Sequence, residues 1–206
     1  MRRLTLALPL SAALFAAACS TGGNDAAAPL SGDWSLDNSA SHLSFVTTKA
    51  GQVVEAHRFD TLEGTVGADG KASFGIDLAS VKTNVDIRDQ RMRDILFETG
   101  RFAKATVSTQ IDPATVDKLA IGEQAEVPVQ ATINLHGVDA PVETSVIVTR
   151  IAADKVEVET KEPIIVDATS FGLEGGLAKL QDLAGLPGIT AQVPVTFSLV
   201  FDKKAG

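Results

Sequence analysis

Apolar and polar residues alternate along most of this chain, and the stretch from 74 to 109 (FGIDLASVKTNVDIRDQRMRDILFETGRFAKATVST) shows how the alternation is interrupted. Phe74, Ile76 and Leu78 share one face and Gly75, Asp77 and Ala79 the other, the period of two of a strand with one buried side. A polar break follows, and then the period changes. Over 87–97, Met92, Ile95 and Leu96 fall at i, i+3 and i+4, which predicts a short helix with a narrow apolar stripe. Asp89 and Arg93 are spaced to pair on the opposite, wet side. Alternation resumes with Ala105, Val107, Thr109 and Ile111 until Asp112-Pro113 ends the run. The order strand, helix, strand predicts one edge of a β structure with a small helix over its open end.

The same reading places strands in the rest of the chain. Residues 31–48 open the domain as one strand or two short ones, with Trp34 and Leu36 as core and Leu43, Phe45 and Thr47 on one face. Strands at 53–59 and 62–66 flank a bend, and Gly67 to Gly70 make a tight turn. Val127, Val129, Ala131, Ile133 and Leu135 alternate cleanly, 136–139 turn the chain, and 142–150 return as a hairpin. A strand over 156–166 is interrupted by Pro163, which marks an edge or a bulge. Val193, Val195, Phe197, Leu199 and Phe201 complete the series. Leu177, Leu180, Leu183 and Ala184 sit at helical spacing between glycines, a segment able to move. About eight strands with one or two short helices predict an all-β antiparallel barrel or sandwich, not βαβ units.

The N-terminus has its own pattern. Arg2 and Arg3 precede an apolar run over 4–15, and Ala16, Ala17 and Ala18 are small residues before a cleavage point, so 1–18 reads as an export signal peptide. Cys19 is the only cysteine, which excludes an internal disulfide. Its place after the alanines is that of a lipid-attachment cysteine. Ser20, where an aspartate would retain a lipoprotein at the inner membrane, directs the expectation to the outer membrane, facing the periplasm. Residues 19–30 are small and polar and read as a flexible tether, leaving 31–204 as one domain. The net charge of −8 becomes more acidic once Arg2 and Arg3 are removed, which argues against nucleic-acid partners. Membrane association is then expected through the lipid anchor.

Catalytic chemistry is not legible. His42, His57 and His136 have no partners at metal-ligand spacing, and there is neither a nucleophile elbow nor a phosphate loop. Arg88, Arg91 and Arg93 are interleaved with Asp89 and Asp94, the pattern of a solvated helix face and not of an anion site. No cofactor or metal is expected. Tyrosine is absent, and nine phenylalanines with many valines and leucines make an interior suited to a long apolar ligand or to dry packing.

Several runs together resemble the YceI-like family. They are Trp34 to Asp37 with Ser41 to Phe45, Ser80 to Asn84, Arg88-Asp89, Met92, Phe97, the strand start at Phe102 and the hairpin over 131–142. Ala103 stands where the family usually has proline, and His57-Arg58-Phe59 where many members have a glycine before the aromatic. The resemblance covers nearly the whole of 31–204 and implies an extended, eight-stranded, lipocalin-like barrel that carries a polyisoprenoid chain in its interior. It offers no catalytic residues to carry over. Strand parity then nominates Phe45, Phe59, Phe74, Ile76, Met92, Leu96, Phe97, Phe102, Ile133 and Leu135 as lining the cavity, with the 88–97 helix or the 177–184 segment as its gate. The expected function is a non-enzymatic exported carrier of a polyisoprenoid or similar long-chain amphiphile. The alternative is an envelope stress or interaction module with a filled core. A homodimer is compatible with either.

Overall fold

The computed structural model describes residues 29–204, in which the strands are β1 (Trp34–Leu36), β2 (His42–Lys49), β3 (Val53–Phe59), β4 (Leu62–Val66), β5 (Lys71–Asp77), β6 (Val81–Lys82), β7 (Lys104–Gln110), β8 (Gln124–Leu135), β9 (Val138–Ala152), β10 (Lys155–Thr160), β11 (Ile164–Asp167) and β12 (Gln192–Lys203). Two helices interrupt them, α1 (Asp86–Arg91) and α2 (Glu174–Ala184). The signal peptide at 1–18 and Cys19 lie outside the described residues.

Eight strands close a ring in the order β1, β4, β5, β7, β8, β9, β10, β12, all antiparallel, and β1 completes it by pairing with both β4 and β12. The remaining strands continue members of the ring beyond a break. β1 and β2 both run along β12, Leu36 opposite Phe201 and His42 opposite Ser198, so they are one long strand cut by a turn. β10 and β11 are likewise one strand, cut before Ile164 at Pro163, which has no N–H to give to a ladder. The barrel thus has the eight long strands expected from the pattern.

The breaks have a common chemistry. Asp77, Asp112 and Asp167 each accept a hydrogen bond from the backbone N–H two residues on, at 2.9, 3.0 and 2.9 Å, and each starts a tight 3-10 turn. A short acceptor side chain that binds its own backbone competes with the sheet ladder and ends the strand. The β8–β9 hairpin, by contrast, turns in two residues. His136 and Gly137 both have positive φ (54° and 77°), the backbone a two-residue turn needs to match the strand twist.

Two ends can be distinguished. The helix end carries α1, α2 and the 49–53 and 135–138 hairpins. The opposite end carries the 66–71 and 152–155 hairpins, the 111–123 loop and the first described residues. There Leu30, which sequence assigns to the tether, is buried in the core, and its carbonyl accepts from Trp34 Nε1 at 3.0 Å. The domain therefore starts at least one residue earlier than 31.

Candidate functional site

Alternation puts one side of every long strand inside the ring, and the inner side is not fully filled. A cavity of about 380 Å³ runs along the barrel axis, within the range of about 300–1,000 Å³ of small-molecule sites. β8 contributes Val127, Val129, Ala131, Ile133 and Leu135, and β12 contributes Val193, Val195, Phe197, Leu199 and Phe201. The lining is almost wholly hydrocarbon, relieved by a few hydroxyls such as those of Thr47, Thr144 and Thr190. Asp112, at the rim, is the one charged residue of the lining among the described residues. Ser31, Ala68 and Asp112 stand at one end of the lining and Thr190 at the other, all of them exposed.

Of the residues nominated from sequence, Phe45, Phe59, Phe74, Ile76, Met92, Leu96, Phe97, Ile133 and Leu135 line this cavity. Phe102 does not. It lies outside the barrel end, its ring 4.3 Å from that of His136 and under the guanidinium of Arg101. The reason is its place: Phe102 precedes the first residue of β7, so strand parity does not apply to it.

The lid over the helix end is a continuous helical run whose last turn widens. Phe97 N–H donates to the carbonyl of Met92 at 2.9 Å, an i→i−5 bond, and residues Met92–Leu96 form a π-helical turn. This wider turn lets Met92, Leu96 and Phe97 all face the cavity. α2 crosses behind it and sends Leu177 to the same cavity, with Leu173 just before the helix. One of the glycines that flank this segment has a packing role. Gly176 lies inside α2, where a Cβ would stand 2.7 Å from the carbonyl oxygen of Ile95 and 3.0 Å from Leu96 Cα.

The expected Asp89–Arg93 pair is not formed. Asp89 is 1% exposed and accepts from Thr83 twice, from its N–H at 2.8 Å and from its hydroxyl at 2.5 Å. At 100° per residue Asp89 stands within about 20° of Leu96, on the buried face, so inward orientation follows from helix geometry. Arg93 bonds to Gln90 instead. Arg88 also departs from the solvated-face reading. It donates to the carbonyl of Thr83 at 2.6 Å and to Glu55 at 2.8 Å, and Glu55 is held in turn by Lys49 at 2.6 Å. The Lys49 hydrogen bond first, then Arg88, hold the Glu55 carboxyl below its usual range. These contacts pin α1 to β3 and β6.

Below this network lies His57, 5% exposed, with Nε2 3.0 Å from the hydroxyl of the cavity-lining Thr47 and its ring 5.3 Å from that of Phe45. Burial first, and then the Arg88 charge, keep its pKa below the ordinary histidine value. His57 continues the inward parity of Glu55 and Phe59 on β3, which was available as a signal. Arg150 was missed in the same way. It follows Val142, Thr144, Val146 and Val148 on the inward side of β9, is 0% exposed, and donates to the carbonyls of Leu119, Ala152 and Ala153. It seals the 111–123 loop onto the barrel.

No group of three or more histidine, cysteine or carboxylate side chains at metal-binding distance occurs among the described residues.

Comparisons agree with this architecture. The family model described as YceI-like domain matches residues 34–201. Among solved structures, a polyisoprenoid binding domain from Saccharophagus degradans, implicated in plant cell wall breakdown, is 43% identical. The alignment covers 83% of this chain and 98% of that one, with a TM-score of 0.81. BcnA of Burkholderia cenocepacia is 18% identical over 80% of this chain and 98% of its own, with a TM-score of 0.62. A Campylobacter jejuni YceI protein is 13% identical over 72% and 85%, with a TM-score of 0.54. These last two likenesses concern the fold. No curated protein matches the chain.

Proposed function

This chain belongs to the YceI-like family, and from that premise we propose that it is an exported carrier that holds a polyisoprenoid, or a similar long-chain amphiphile, inside its barrel. The observation that carries the reading is the axial cavity with its nearly all-hydrocarbon lining. Such a lining has dispersion and exclusion of water to offer and few polar anchors. Each buried methylene is worth about 0.8 kcal/mol, so roughly ten of them provide about 8 kcal/mol, near micromolar affinity before the cost of ordering the chain. The 43% identical polyisoprenoid binding domain supports the ligand class. The leader and Cys19 support export to the periplasm and a lipid anchor in the outer membrane. The lid of Met92, Leu96, Phe97 and Leu177 is the part of the wall able to admit the chain.

The test is native mass spectrometry of protein purified from its own cells, followed by organic extraction. A co-purifying isoprenoid is the expected result. Bare protein that also takes up no offered prenyl alcohol would sink the proposal. Ala131→Phe with Val158→Phe, which fill the cavity from its walls, should lower uptake without loss of thermal stability. For the anchor, Cys19→Ser should move the protein from the membrane to the soluble fraction, and unchanged fractionation refutes lipidation.

A further inference from the structure

We infer that the Thr47 hydroxyl, positioned by His57, anchors the ligand's head group, and that it selects a neutral head with an oxygen able to accept a hydrogen bond. The inference rests on the carrier reading and adds to it the polar end of the ligand and the direction in which the ligand lies. It starts from two paired strands. The inward side of β3 carries Glu55, His57 and Phe59 in turn, and on β2 Thr47 stands opposite Glu55 and Phe45 opposite His57. Toward the helix end the wall thus passes from hydrocarbon at Phe45 and Phe59, through one hydroxyl and one imidazole, to the ion pairs of Glu55 with Lys49 and Arg88. Thr47 lines the cavity, whereas His57 and the three charged residues do not. An amphiphile lying along the axis matches that order with its head at Thr47 and its tail toward Trp34 and Leu30 at the other end.

Hydrogen-bond accounting makes Thr47 a donor. His57 is 5% exposed, and burial first, then the Arg88 charge, favour its neutral form, whose ring has one N–H to place. Nδ1 is buried without a partner, and Nε2 is 3.0 Å from Thr47 Oγ1. Buried N–H groups are almost never left without an acceptor, and the Arg88 cation favours a lone pair on Nδ1. The network therefore assigns the proton to Nε2, which donates to Thr47 Oγ1. Thr47 keeps its own hydrogen, and among the described residues no other acceptor lies within hydrogen-bond distance of it. The lining's other threonines are not in this state. Thr109 and Thr144 give their hydrogens to the carbonyls of Gln130 and Ser145, and Thr65 and Thr190 are exposed to water. The same surroundings disfavour an anionic head. Lys49 and Arg88 are already paired with Glu55 at 2.6 and 2.8 Å, and the buried Asp89 balances the remaining charge. A phosphate at Thr47 would be buried with no free cation to meet it, whereas a ketone, ester or alcohol oxygen needs only the one hydrogen that Thr47 offers.

The test uses the full chain, made by cell-free synthesis so that no cellular lipid fills it. It is incubated with an equimolar excess of farnesylacetone, a prenyl methyl ketone, and of the hydrocarbon with the same carbon skeleton, and the ketone-to-hydrocarbon ratio of the bound lipid is measured after extraction. Thr47→Val keeps the shape of the side chain and should lower that ratio by roughly threefold to tenfold while hydrocarbon uptake is retained. Thr47→Ser, which keeps the hydroxyl, should keep the ratio of the unaltered chain. Infrared spectroscopy reads the contact directly and needs no variant: the carbonyl stretch of the ketone bound to the unaltered chain should lie at lower wavenumber than in hydrocarbon solvent. An unchanged ratio in Thr47→Val, or an unshifted carbonyl in the unaltered chain, overturns the anchor and leaves the carrier reading standing. Preference for geranylgeranyl phosphate over the ketone overturns the neutral head. Uptake of none of these prenyl compounds by the unaltered chain sinks the carrier reading itself.

Discussion

Gly176 and Ile95 hold the two helical parts of the lid at a distance that admits no side chain: a Cβ on the glycine would lie 2.7 Å from the Ile95 carbonyl oxygen. α2 and the π turn therefore lock main chain to main chain, and the lid behaves as one body.

Gly176→Ala is the direct probe of that lock. In an exposed helix the change would gain about 1 kcal/mol of helix propensity. Here the obstacle is backbone, which yields poorly, and overpacking costs about 1–3 kcal/mol. The clash should win, lowering Tm by a few degrees, at about 2–4 °C per kcal/mol for a domain of this size. Thermal unfolding followed by circular dichroism decides it, and a raised Tm would show that the helices separate freely.

The Thr83–Asp89 pair anchors the lid at its other side. Asp89→Ala leaves the buried Thr83 N–H without an acceptor and its hydroxyl with only a long contact to the Val85 carbonyl, and should cost about 2–4 kcal/mol by urea unfolding. Thr83→Val removes one donor and should cost less. Because both changes break the same contact, the double variant should be more stable than the sum of the single losses implies. Additive losses would mean that the two residues act separately.

His57 gives the fold a sensitivity to mild acid. Its folded pKa lies below the ordinary histidine value of about 6.5, so between the two values the unfolded chain binds more protons and stability falls as pH falls. The contribution is complete above about 6.5 and is lost as pH drops through the folded value. Tm measured from pH 7.5 to pH 5 should decline, and His57→Gln should flatten that part of the curve. The loss of the Glu55 contribution belongs to a lower window, below the ordinary glutamate range. An identical slope in His57→Gln would remove the histidine as its cause.

Arg150 should behave as a seal and not as a charge. Arg150→Met exposes no new surface but leaves the carbonyls of Leu119 and Ala153 without donors, at a cost of about 2–4 kcal/mol. Lysine cannot restore the loss, since one ammonium does not present the planar fork that reaches all three carbonyls. Gly122 N–H, which donates to the Arg150 carbonyl at 2.7 Å, reports on the loop. Its hydrogen exchange should accelerate in both variants, and unchanged exchange would place the seal elsewhere.

The sequence by itself determined which side of each strand faces the core, because a side-chain period of two assigns each strand residue to the inside or the outside without knowledge of its neighbours. That rule reached Phe45, Phe59, Phe74, Ile76, Ile133 and Leu135, and, applied further, it contained His57 and Arg150. The strand breaks were also written locally, in Asp77, Asp112, Asp167 and Pro163, whose effects act within two residues. The helical wheel likewise carried Asp89 on the face of Leu96. What no local rule contained was long-range geometry. Phe102 lies outside because β7 begins after it, and Gly176 is small because Ile95 passes beside it. Whether the interior closed on itself or kept a cavity was a matter of how the eight strands tilt and how much volume their inner side chains occupy, quantities that belong to the assembled barrel and to no single stretch of the chain.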